Sequence, residues 1–189
     1  MDIEKEKRAE FIDLYSEWFD FEEHVALYSL PWKKRMQADL IMTPKRAYSQ
    51  YSFAIEVKNK VYWKPANYAD AIAQASFYNY CRIEGGSNKG RIISASFLHK
   101  DTVGIEQREQ EVDNLWGIEV LAQRFRVGIA ETQNAHRKSE RKVLRFGPNE
   151  FWRSDSEFNE HSENLVIGKR LVGGMKVPFE KVIENLTNN

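Results

Sequence analysis

Residues 53–60 read FAIEVKNK, and no other stretch constrains the fold of this chain as tightly. Side chains on a strand point alternately to the two faces of its sheet. Phe53, Ile55 and Val57 then share one face, and Ala54, Glu56, Lys58 and Lys60 share the other. The first set is aromatic or aliphatic, as a core-facing strand surface requires. The second set places an acid and a base one residue apart in YSFAIEVKN, the clearest strand in the sequence. A strand this apolar needs a reason to carry Glu56 and Lys58 together.

The surrounding sequence supplies neighbours for it. MQADLIM (residues 36–42) reads as another strand, terminated by Pro44, and KRAYSQ reads as the turn between the two. So short a connection makes 36–42 and 53–59 antiparallel neighbours. The opening segment is amphipathic at helical spacing. Phe11, Leu14, Tyr15, Trp18 and Phe21 form its apolar stripe, with Glu6, Glu10, Asp13, Glu17 and Asp20 on or beside the polar side. HVALYSL, closed by Pro31, is a short strand. NYADAIAQASFYNYCRI is a second helix, with a small-residue apolar face of Ala69, Ile72, Ala73, Ser76, Phe77 and Tyr80. GGSNKG is a loop and RIISASFL a strand. Residues 105–123 are mostly helical, RFRVGIAET and KVLRFG are strands, and PFEKVIENL is a short helix opened by proline. Strands alternating with helices predict an α/β fold: a mixed β-sheet flanked by helices, with an α-β-β-β-α-β core. The chain reads as one domain over 1–189, with its core at about 5–132 and a C-terminal extension at about 133–189.

Composition removes several classes of function. The 28 basic and 28 acidic residues cancel, so binding through bulk positive charge is excluded, while a local basic groove is not. Cys81 is the only cysteine, which rules out an internal disulfide or a cysteine-based zinc cluster. MDIEKEKRAE lacks the apolar centre of a signal peptide, and no window approaches the roughly 18 apolar residues of a membrane span. The expected setting is cytoplasmic, with no membrane partner.

Asp39 and Glu56 fall on the two neighbouring strands. Facing the same side, they can hold one divalent cation, because Mg²⁺ takes hard oxygen ligands and keeps several waters. Lys58, on the same face as Glu56, supplies a compact positive charge beside a phosphodiester. Asp39 followed by Glu56-Val57-Lys58 on the next strand resembles the signature of the PD-(D/E)XK nuclease superfamily, with Ala38-Asp39 standing in place of Pro-Asp. Gln74 and Tyr78 on the following helix resemble the Gln-x-x-x-Tyr element of an exonuclease-rich branch. The resemblance covers roughly residues 5–100. It implies a restriction-endonuclease-like fold and Mg²⁺-dependent hydrolysis of DNA, with Mn²⁺ as a substitute. It further implies metal ligation by Asp39, Glu56, the Val57 backbone and an N-terminal Glu (Glu10 or Glu17), and catalytic roles for Lys58, Gln74 and Tyr78. DNA is the implied partner, and a homodimer or a larger nuclease complex stays open, as does a non-catalytic binding module of the same fold. A second acid-x-Lys, Glu140-Arg141-Lys142, has no apolar strand before it and no suitably spaced Asp. Lys33, Lys34, Arg35, Lys45, Arg46, Lys60 and Lys64, interleaved with Trp32, Tyr62 and Trp63, form a candidate phosphate- and base-binding rim. The run from His136 to Arg145 is a second candidate patch. His24, after Glu22 and Glu23, reads as a capping or surface residue.

Overall fold

The computed structural model describes residues 3–45, 49–58, 65–100, 109–134, 140–147, 149–154, 170–172 and 175–177. Helix α1 (Ile3–Tyr15) leads into three strands, β1 (Phe19–Ser29), β2 (Lys34–Pro44) and β3 (Phe53–Val57). Helix α2 (Pro65–Tyr78), the short β4 (Cys81–Ile83) and β5 (Ala95–Lys100) follow. Helix α3 (Glu109–Ala122) precedes β6 (Val127–Asn134), β7 (Glu140–Phe146) and β8 (Asn149–Arg153). These strands form one eight-stranded sheet in the order β4-β1-β2-β3-β5-β6-β7-β8. The pairs β1–β2 and β2–β3 are antiparallel, β3–β5 and β5–β6 are parallel, and β6–β7 and β7–β8 are antiparallel again. β9 (Arg170–Val172) and β10 (Met175–Val177) pair separately. The architecture is mixed α/β, with helices packed on a mixed sheet and elements in the order read from the sequence. Among the described residues no helix is long and apolar enough to cross a membrane.

The sheet separates two apolar layers. On the α1 side, Phe11 and Tyr15 pack with Phe53, Ile55, Val57, Phe97 and Trp152. On the other side, α2 and α3 cover Ala54, Leu98 and Ile129 through Tyr78, Ala75 and Leu115. The alternation expected of residues 53–57 is therefore present. The sheet does not stop near residue 132, because Leu144, Phe146, Phe151 and Trp152 complete the α1-side core.

Several boundaries differ from the sequence reading, each for a packing reason. α1 ends at Tyr15, while Trp18 and Phe21 belong to the turn and to β1. Both nevertheless pack on the same cluster as Phe11, which is why the apolar spacing imitates one longer helix. α2 ends at Tyr78, and Cys81–Ile83 pair with Leu27–Ser29 instead of continuing it. β8 was not expected, and the terminal segment PFEKVIENL lies outside the described residues.

A buried ionic network ties α2 and α3 to the far half of the sheet. Arg145 grips Glu131 through Nε at 2.9 Å and Nη2 at 3.1 Å, reaches Glu119 at 2.6 Å, and donates to the Gly147 carbonyl at 3.0 Å. The Tyr68 hydroxyl donates to Glu119 at 2.6 Å. Arg145 thus belongs to the interior and not to a basic surface patch.

Gly128 on β6 lies beside Phe97 on β5, and a Cβ there would come within 2.6 Å of both the Phe97 ring and the Arg145 carbonyl. Neither neighbour can yield without disturbing the core. Gly128→Ala is expected to destabilise the protein by roughly 1–3 kcal/mol through overpacking. Denaturant unfolding checks this, and an unchanged midpoint would contradict it.

Candidate active site

The site forms where the antiparallel and parallel parts of the sheet meet. β1 and β2 pair from Phe19 opposite Pro44 to Ser29 opposite Lys34, with one interruption. His24 lies between the pairs Glu23–Leu40 and Val25–Ala38 and takes φ +52°. Such left-handed geometry is uncommon outside glycine. The alternation of both strands slips at this point. Ala38 and Ile41 join the same α2-side cluster although an odd number of positions separates them. Likewise Phe21 packs toward α1, whereas Val25 and Leu27 pack toward α2.

Asp39 sits at this slip. β2 and β3 pair from Met42–Phe53 to Leu40–Ile55, which brings Asp39 beside Glu56. The Asp39 Oδ2 atom accepts the Val57 N–H at 2.8 Å, so a side chain joins the two strands at the end of their ladder. Val57 points its side chain into the core, so that its backbone is what it presents at the site.

Glu56 is fully buried. The Tyr78 hydroxyl donates to its Oε2 at 2.5 Å, and the Lys58 ammonium closes on its Oε1. Tyr78 is itself buried, lies 3.2 Å from the Gln37 carbonyl, and accepts from Gln74 Nε2 at 3.2 Å. The i, i+4 spacing of Gln74 and Tyr78 puts both on one flank of α2. Gln74 is exposed, so the pair runs from solvent to the buried acid. The structure thus brings together Asp39, Glu56, Lys58, Tyr78, Gln74 and the Val57 backbone.

The electrostatics follow from this crowding. Burial, and then the neighbouring Asp39 charge, push the Glu56 carboxyl above the usual range, while hydrogen bonds from Lys58 and Tyr78 work the other way. Burial opposes the Lys58 charge, but Glu56, Asp39 and Glu4 together hold its proton more firmly than usual. Burial and the Glu56 charge push the Tyr78 phenol far above its ordinary value, so it stays a donor.

Neither expected N-terminal acid joins this group. Glu10 is exposed and ion-paired to Lys7 at 2.6 Å, and Glu17 is exposed beyond the end of α1. The α1 acid whose charge bears on Lys58 is Glu4. Its signal was available in the sequence, since Glu4, Arg8, Phe11 and Tyr15 recur at the spacing of one helix face. Among the described residues, no three His, Cys, Asp or Glu side chains converge as a metal-ligand set.

Of the basic rim, Lys33 and Lys34 are exposed, Arg35 pairs with Glu84 at 3.1 Å, and Lys45 is bound to the Ser16 carbonyl at 2.6 Å. Arg46, Lys60, Tyr62, Trp63, Lys64 and His136 lie outside the described residues. His24 is exposed but sits within β1, and its carbonyl accepts from Gln37 at 2.9 Å.

Comparison with known proteins finds no matching family model, no matching curated protein and no matching solved structure.

A carboxyl whose folded pKa is raised binds its proton more tightly in the native state. Ionised Glu56 therefore erodes stability as pH climbs from the ordinary carboxylate value through the raised one. Glu56→Gln has no such charge to bury. Thermal unfolding from about pH 4 to about pH 8 is expected to shift the difference in Tm steadily in favour of the variant. A difference independent of pH would contradict the buried, raised carboxyl.

Proposed function

We propose that this protein is a divalent-metal-dependent nuclease that hydrolyses phosphodiester bonds of DNA, with a restriction-endonuclease-like arrangement of its core. The observation that carries the reading is the convergence of Asp39 and buried Glu56, from adjacent strands, with the Lys58 amine on the same carboxylate.

The donor set fits a hard cation. Two carboxylates against one ammonium leave a net negative charge when both acids are ionised, and Mg²⁺ is commonly held by one or two carboxylates with water completing its shell. Asp39, Glu56 and the Val57 carbonyl are the groups that would hold it. When bound, such an ion polarises a phosphate oxygen and acidifies water. The chain's own residues do the rest. Lys58 remains protonated and offsets negative charge developing on the phosphate, as a compact ammonium does. Tyr78 fixes the Glu56 carboxylate, and Gln74 holds Tyr78 from the solvent side. Tyr78 and Gln74 are positioning residues in this scheme. Glu4 adds negative charge near Lys58 and helps to keep it an ammonium.

Incubation of the purified protein with plasmid and linear DNA tests the proposal. Cleavage is expected with Mg²⁺ or Mn²⁺ and is expected to cease with EDTA. Lys58→Ala should reduce the rate by about 10²-fold or more, the order lost when a single electrostatic contact to a transition state is removed. Equal cutting by wild type and Lys58→Ala would overturn the assignment. An inert wild type would favour a non-catalytic binding module or a subunit active only in a larger complex.

A further inference from the structure

A second surface, away from Glu56, carries aromatic side chains and positive charge together. Trp32, in the turn between β1 and β2, is 53% exposed and meets Phe77 and Tyr80 edge-on, with ring centroids 4.9 and 5.7 Å apart. Phe77, in the last turn of α2, and Tyr80, in the turn after it, are 43% and 41% exposed. The backbone fixes the arrangement. Leu30 N–H donates to the Tyr80 carbonyl at 3.1 Å, and Asn79 Nδ2 donates to the Phe125 carbonyl at 2.7 Å. Arg126 returns a bond to the Asn79 carbonyl at 2.8 Å and lies 5.9 Å over the Tyr80 ring, within cation–π range. Three segments, residues 30–35, 77–82 and 124–126, therefore meet in one place.

These segments read LPWKKR, FYNYCR and RFR. They contain Lys33, Lys34, Arg35, Arg82, Arg124 and Arg126 and not one acid, in a chain whose charges cancel overall. Arg35 and Arg82 alternate with Met36, Cys81 and Ile83 of the α2-side cluster and so turn to the other face of the sheet, where Arg35 pairs with Glu84. Lys33 and Arg124 are exposed beside the rings' segments. An exposed apolar patch of this kind marks a binding surface, and its charge selects the partner. A protein partner buries aromatics against apolar surface and gains little from so many like charges. A polyanion with aromatic faces of its own satisfies both features.

We infer that this platform binds single-stranded nucleic acid, with unpaired bases stacked on Trp32 and Tyr80 and phosphates held by Lys33, Lys34, Arg124 and Arg126. Stacking tolerates any base sequence, and the phosphate contacts make binding dependent on salt. Arg35 lies four residues from Asp39 along β2, about 13 Å at the usual strand rise. The platform rings and the candidate active site are therefore near each other, with Tyr78, between Phe77 and Tyr80 in sequence, turned to Glu56. The inference does not require that the protein cleave anything.

Fluorescence anisotropy with a labelled oligothymidylate of about 20 nucleotides, long enough for one binding site, tests the inference in EDTA, where cleavage is suppressed. The full-length wild type is expected to bind the single strand more tightly than a duplex of the same length. Trp32→Ala and Tyr80→Ala should each weaken binding roughly tenfold, in line with the loss of one stacked base. Lys33→Glu should also lower the salt dependence. Omitting the divalent cation keeps this result separate from that of the cleavage assay. Circular dichroism verifies that the exposed-residue variants remain folded. Binding unaffected by Trp32→Ala and Tyr80→Ala would overturn the inference. So would an absence of oligonucleotide binding, including the case where ultracentrifugation shows self-association that Trp32→Ala abolishes.

Discussion

Taking a carboxylate out of water costs several kilocalories per mole even after the surroundings relax, and the arrangement around Glu56 is organised by that cost. Its two oxygens are met by groups from different places: the Tyr78 hydroxyl from α2 and the Lys58 ammonium from the chain just past β3. Asp39, from β2, adds repulsion instead of relief. A core built for stability alone would replace such a group with an apolar side chain of similar volume. Retaining Glu56 beside Asp39 concentrates negative charge at one point, with an amine beside it. The Tyr78 hydroxyl from α2 and the position of Lys58 both serve to satisfy that one acid.

The slip in strand alternation at His24 belongs to the same arrangement. A regular β2 would carry its period-two pattern through Asp39. The left-handed His24 on β1 shifts the pattern of both strands, so that Met36 and Ala38 turn toward α2 while Leu40 and Met42 turn toward α1. Asp39 lies at the changeover and takes over the Val57 N–H at the end of the ladder. Backbone geometry of this kind, costing of order 1–3 kcal/mol, persists where surrounding structure enforces it and recurs at functional sites.

Much of this was legible in the sequence because local patterns and packing agree over residues 36–57. The β2–β3 pairing, the alternation of Phe53 to Val57, the neighbourhood of Glu56 and Lys58 and the pairing of Gln74 with Tyr78 follow from period two, a short turn and an i, i+4 spacing. The place of Gln74 and Tyr78 beside Glu56, by contrast, came only from the resemblance. What escaped was set by tertiary contacts. Trp18 and Phe21 extend the apolar spacing of α1 but pack from a turn and a strand. Cys81–Ile83 have helical neighbours, yet β1 offers them an edge to pair with. Glu10 and Glu17 are exposed, whereas Glu4 shares the helix phase of Arg8, Phe11 and Tyr15 and adds its charge to that around Lys58. Arg145 read as part of a basic run because nothing local signals that Glu119 and Glu131 enclose it.

Calorimetric titration of the protein with Mn²⁺ bears most directly on the central claim, that Asp39 and Glu56 form one cation site. The account predicts saturable uptake by the wild type that is lost in both Asp39→Asn and Glu56→Gln while each variant stays folded. Absence of uptake, or uptake that Glu56→Gln leaves unchanged, would contradict it.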